Sequence, residues 1–120
     1  MPLTDSRLVQ AAEEIVKDVR QKLDAQSGTT QISRAVEAAL VAEAPCVFRN
    51  WLAYQAKRRE SKDVWQVRGK KSVYEWVLSM LDEIERVTGP GEGRDREIMK
   101  VLARFLGYLR RTVVAELAEE

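Results

Sequence analysis

The chain has 120 residues, of which 45% are hydrophobic and 32% charged, and its formal net charge is +1. That length fits one domain with a real core, and the composition excludes general disorder. No apolar run approaches the roughly 20 residues of a membrane span, and the start, MPLTDSRLVQAAEE, has neither a basic leader nor an apolar signal core. The single cysteine, Cys46, has no internal disulfide partner, so a reducing, cytoplasmic setting is expected.

Helix-forming residues dominate, and glycine and proline group between periodic segments. A first helix is predicted from about Asp5 to Ala25, capped by Thr4 or Asp5. Leu8, Ala12, Ile15, Val19 and Leu23 recur at helical spacing on one face. Ser27-Gly28 reads as its end, and residues 27–30 as a flexible turn. A second helix follows Thr29 or Thr30, with Ile32, Val36, Ala39 and Leu40 on its apolar side. Pro45 stops it and can open a third helix as its first residue. Val47, Phe48, Trp51 and Leu52 follow, and Cys46 reads as a small core residue.

Next comes KRRESKDVWQVRGKK, Lys57 to Lys71, with seven basic and two acidic side chains. The alternation in DVWQVRGKK is weakly strand-like, but no second segment reads as its partner. A loop over 61–71 with a short helical turn is expected, and Trp65 packs beneath it. Ser72-Val73-Tyr74-Glu75 fits a capping box and starts the fourth helix, whose inner face is Tyr74, Val77, Leu78, Leu81 and Ile84. TGPGEG, residues 88–93, is a flexible turn. The last helix spans about Arg94 to Leu117, with an apolar stripe from Ile98 through Leu102, Phe105, Leu106 and Leu109 to Val113 and Leu117. The fold class expected is all-α: one compact bundle of about five helices covering 1–120.

Chemistry is scarce. There is no histidine, so the commonest general base and metal ligand are missing. No phosphate-binding glycine loop is present, and Asp82, Glu83 and Glu85 read as a solvated face. No enzyme activity, metal or cofactor is expected.

Charge is not evenly spread. Residues 49–71 carry eight basic and two acidic groups, and residues 72–93 one basic and five acidic. Arg49, Lys57, Arg58, Arg59, Lys62, Arg68, Lys70 and Lys71 are therefore candidate phosphate contacts. The negative end of the third helix explains Lys57, Arg58 and Arg59 without any ligand. It leaves Lys62, Arg68, Lys70 and Lys71 unexplained. Lys100, Arg104 and Arg111 form a second basic ridge, about 200° around the last helix from its apolar stripe. The neighbouring basic and acidic blocks would also let copies stack head to tail.

Two segments carry a resemblance: APCVFRNWLAYQAK, Ala44 to Lys57, and YLRRTVVAE, Tyr108 to Glu116. With the order of helices, they resemble the small helical subunit of type III-B (Cmr) CRISPR effector complexes. Trp51-Leu52 stands where that family has Gly-Leu, and Lys57-Arg58 where it has an aromatic. The resemblance implies a non-catalytic subunit that lines the complex beside crRNA and target RNA, touching other effector subunits. A helical adaptor with no nucleic-acid role is the alternative.

Overall fold

The computed structural model describes residues 3–118. Among the described residues six helices run in the order α1 (Asp5–Val19), α2 (Ala25–Val41), α3 (Pro45–Lys57), α4 (Lys62–Trp65), α5 (Val73–Val87) and α6 (Arg94–Leu117). The sixth is α4, the short turn expected inside 61–71.

Helix α6 is the centre of the molecule. It buries Ile98, Met99, Val101, Leu102, Ala103, Phe105, Leu106, Leu109 and Val113, and α1, α2, α3 and α5 all pack on it. The apolar set is wider than one stripe, which a helix needs when neighbours cover it from several sides. Gly93 opens α6 in the left-handed conformation, φ 78°, a backbone state glycine adopts without strain.

The first boundary differs from the sequence reading. Helix α1 begins where expected, with the Thr4 hydroxyl accepting the Arg7 N–H at 3.2 Å, but it ends at Val19 rather than Ala25. Leu23 stays buried although it lies outside any helix. Asp24 then takes an extended conformation, and its carboxylate accepts the Ser27 N–H at 2.8 Å, starting α2. The turn expected at 27–30 is thus helix. Gly28 serves packing: a Cβ there would stand 3.2 Å from the Leu23 side chain.

Two burial expectations also fail. Leu40 is 66% exposed at the end of α2. Cys46 is exposed. Helix α3 buries Pro45, Phe48, Leu52, Gln55 and Ala56, and Cys46 lies about 100° around the helix from Pro45. On α5 the innermost residues are Val73, Val77, Met80, Leu81 and Ile84, with Tyr74 and Leu78 half-buried.

Helix α4 folds back on the last turn of α3. The buried Ser61 hydroxyl donates to the Gln55 carbonyl at 2.7 Å, and the Gln66 amide donates to the Ala56 carbonyl. Trp65 is fully buried beneath this corner, edge-on to Trp51 with ring centres 6.5 Å apart. Its indole N–H has no acceptor among the described residues, and full burial leaves its rings unavailable to stack on a base. The strand-like alternation resolves as one antiparallel bridge, Arg68 to Ser72.

Two glycines predict opposite outcomes. A Cβ on Gly69 would lie 2.2 Å from the Asp18 carbonyl oxygen, whereas one on Gly107, inside α6, meets nothing within 4 Å. Gly69→Ala is expected to lower stability by about 1–3 kcal/mol, and Gly107→Ala to raise it by about 0.5–1 kcal/mol. Urea unfolding of the two variants reads both signs.

Candidate nucleic-acid interface

The eleven basic residues singled out in the sequence divide into two groups. Several are occupied by the chain's own acids. A single Arg49 Nη2 sits 2.7 Å from Asp82 Oδ1 and 2.6 Å from Glu85 Oε2, joining α3 to α5. Arg58 pairs with Glu60 at 3.0 Å, and Arg68 with Glu75. Arg104 meets Asp5 at 3.6 Å, which gives the ridge on α6 an acidic neighbour. Lys71 Nζ donates to the Ser79 hydroxyl at 3.2 Å and lies 4.8 Å from the centre of the Trp76 ring. Arg111 lies 5.6 Å from the Tyr108 ring centre.

Lys57, Arg59, Lys62, Lys70 and Lys100 are exposed and form no ion pair among the described residues. Lys57, Arg59 and Lys62 stand at the corner between α3 and α4, which the Ser61 and Gln66 hydrogen bonds hold in shape. Lys100 stands apart on α6. Arg96, which the sequence reading passed over, lies one turn before it. At about 100° per residue, Arg96, Lys100, Arg104, Gly107 and Arg111 fall within about 40° of one line.

The acids Asp82, Glu83 and Glu85 of α5 are ion-paired rather than free, although Asp82 stays exposed as expected. Glu83 takes a two-pronged pair from Arg7, with Nε 2.9 Å from Oε2 and Nη2 2.7 Å from Oε1. The Arg7 hydrogen bond holds the Glu83 carboxyl below its usual value, against the opposing effect of burial. Asp82 and Glu85 point the other way, to Arg49.

Lys70 and Lys71 owe their position to Asp18, near the end of α1. Its carboxylate accepts the Lys70 N–H at 2.8 Å, the Lys71 N–H at 3.3 Å and the Trp76 indole N–H at 2.8 Å. Desolvation pushes the Asp18 carboxyl up. The Lys70 N–H, the Trp76 indole and the Lys71 N–H outweigh it, with help from the Lys70 charge, and hold it below the ordinary aspartate value. Sequence reasoning could not find Asp18, because its partners lie more than fifty positions away and no local pattern marks it.

Among the described residues no three cysteine, aspartate or glutamate side chains gather as a metal site would need, and no helix is long and apolar enough to cross a membrane.

The lowered pKa of Asp18 sets a pH dependence. A depressed carboxylate stabilises the fold fully above its unfolded pKa, about 3.9, and that contribution disappears as pH falls through the lower folded value. The stability gap between wild type and Asp18→Asn should therefore be constant from neutral pH down to about pH 5 and shrink below about pH 4. Urea unfolding across that range measures it; a gap independent of pH would show that the carboxylate charge does not hold the loop.

No protein-family model, curated protein or solved structure matches this chain.

Proposed function

We propose that this chain is a non-catalytic helical subunit of an RNA-guided ribonucleoprotein of the CRISPR type III kind, touching crRNA or target RNA phosphates at the α3–α4 corner. One observation carries the reading. Lys57, Arg59 and Lys62 are exposed and free of acidic partners among the described residues, on a corner whose backbone is fixed from within. A fixed backbone leaves only side-chain freedom to be lost when these cations meet a phosphate. Arg58, paired with Glu60, supports the corner's shape more than its field. The resemblance of Ala44–Lys57 and Tyr108–Glu116 to the small Cmr subunit supports the same assignment. Contacts of this kind carry no sequence information, which suits a complex in which base pairing supplies specificity. Chemistry on the RNA would belong to neighbouring subunits.

A salt titration tests this. Fluorescence anisotropy with a short single-stranded RNA and with an RNA duplex should show binding at low salt. In the triple variant Lys57→Glu, Arg59→Glu, Lys62→Glu, the slope of log affinity against log salt should become shallower by about 2, as expected for three lost phosphate contacts on a single strand. A wild-type protein that binds neither RNA at low salt, or a triple variant with an unchanged slope, would reject the corner as an RNA site and favour the adaptor reading.

A further inference from the structure

The chain leaves α2 at Val41 and turns through residues 42–44 into α3. This departure leaves a cleft of about 510 Å³ between the last turn of α2 and the first turns of α6. Leu40 and Val41 line it and are 66% and 80% exposed, the two highest values among the large exposed apolar side chains of the described residues. Met99, only 3% exposed, lines it as well. A helix's last turn ordinarily favours basic side chains, yet the last turn of α2 has none. Two adjacent large apolar side chains left in water at a cleft mark a contact surface more than a packing accident.

The charged lining is specific. Arg96 and Lys100 stand on the α6 side, and neither forms an ion pair with an acid of this chain among the described residues. They are four residues apart, about 6 Å along the axis. Glu43 is the one acidic residue of the lining. A partner helix with acidic residues at i and i+4 presents carboxylates at the same spacing. Its apolar residues, on the adjoining face, would then enter between Leu40, Val41 and Met99.

We infer that this cleft is a docking site for an acidic amphipathic helix of another protein. A second copy of the chain fits less well. The acidic block of α5 is already engaged, with Asp82 and Glu85 on Arg49 and Glu83 on Arg7. Nucleic acid fits less well too, since Leu40 and Val41 offer a phosphate nothing. The inference stands on a different surface from the α3–α4 corner and does not depend on it.

The probe is a fluorescein-labelled synthetic helical peptide with leucines at i, i+3 and i+7 and glutamates beside them. A version with lysine for each glutamate and a scrambled version serve as comparisons. With the full chain, the acidic peptide should bind roughly tenfold or more tighter than either comparison. Leu40→Asp with Val41→Asp should abolish binding. Both positions are exposed, so circular dichroism should show an unchanged fold. Arg96→Glu with Lys100→Glu should invert the preference toward the lysine peptide. Binding of RNA by the Leu40→Asp, Val41→Asp variant should match wild type, which separates this surface from the corner. Equal binding of all three peptides, or none, overturns the inference. So does a wild-type protein that self-associates in sedimentation and becomes monomeric on Leu40→Asp, Val41→Asp, because the occupant would then be a second copy.

Discussion

The shape of this protein follows from how much of α6 must be hidden from water. Nine of its side chains are buried, and no single neighbouring helix could cover them. Helices α1, α2, α3 and α5 therefore gather around it, and their order in space is set by the sides of α6 they cover. The exposed positions of α6 include Arg96, Lys100, Arg104 and Arg111, with Glu97 and Val114 among their neighbours. The ridge is thus a consequence of how α6 is packed. Charged side chains are the ordinary occupants of the exposed side of such a helix.

Charge on this molecule is mostly settled internally. By sequence alone, a block of net +6 stands beside one of net −4. In three dimensions the two blocks face each other: Arg49 reaches Asp82 and Glu85, and Arg68 reaches Glu75. Exposed pairs of this kind contribute little to stability, on the order of 0–1 kcal/mol each. Their larger effect is on the field. Each one removes a cation from the surface that a phosphate would meet and an acid from the surface that a second copy would meet. Head-to-tail stacking through these two blocks consequently has less complementary charge to use than segment sums imply.

The long, strongly patterned elements were legible in the sequence. The span of α6, the capping box at Ser72 and the start of α3 at Pro45 all follow from local chemistry. The burial of Trp65 under its loop does as well. The junction of α1 and α2 was not legible. Leu23 continues the apolar stripe of α1 in phase, so the periodicity runs straight through a break that Asp24 makes by capping a new helix. Ser27-Gly28, which looks like a stop, is the first turn of that helix. Leu40 and Cys46 were misplaced for a related reason: hydrophobic character alone does not say which side of a short helix meets the core. In the candidate site, residue type named the cations but could not say which were already engaged. That depends on Glu60, Glu75, Asp82 and Glu85 arriving at particular distances.

The contact between Asp18 and the backbone at Lys70 and Lys71 spans 52 and 53 positions of chain. Gly69 lies so close to Asp18 that only a hydrogen fits in place of a side chain. The segment carrying Gly69, Lys70 and Lys71 therefore takes part of its shape from α1, beyond its own Arg68–Ser72 bridge. Closing so long a loop takes the docking of α1 beside α5, and the entropy of that closure must be met before the carboxylate can act. A fragment beginning at α3 would keep every positive charge of the 49–71 region, yet lack the template that arranges its second half. Positive charge here is a local property of the sequence, while its arrangement at Lys70 and Lys71 also draws on the first helix of the chain.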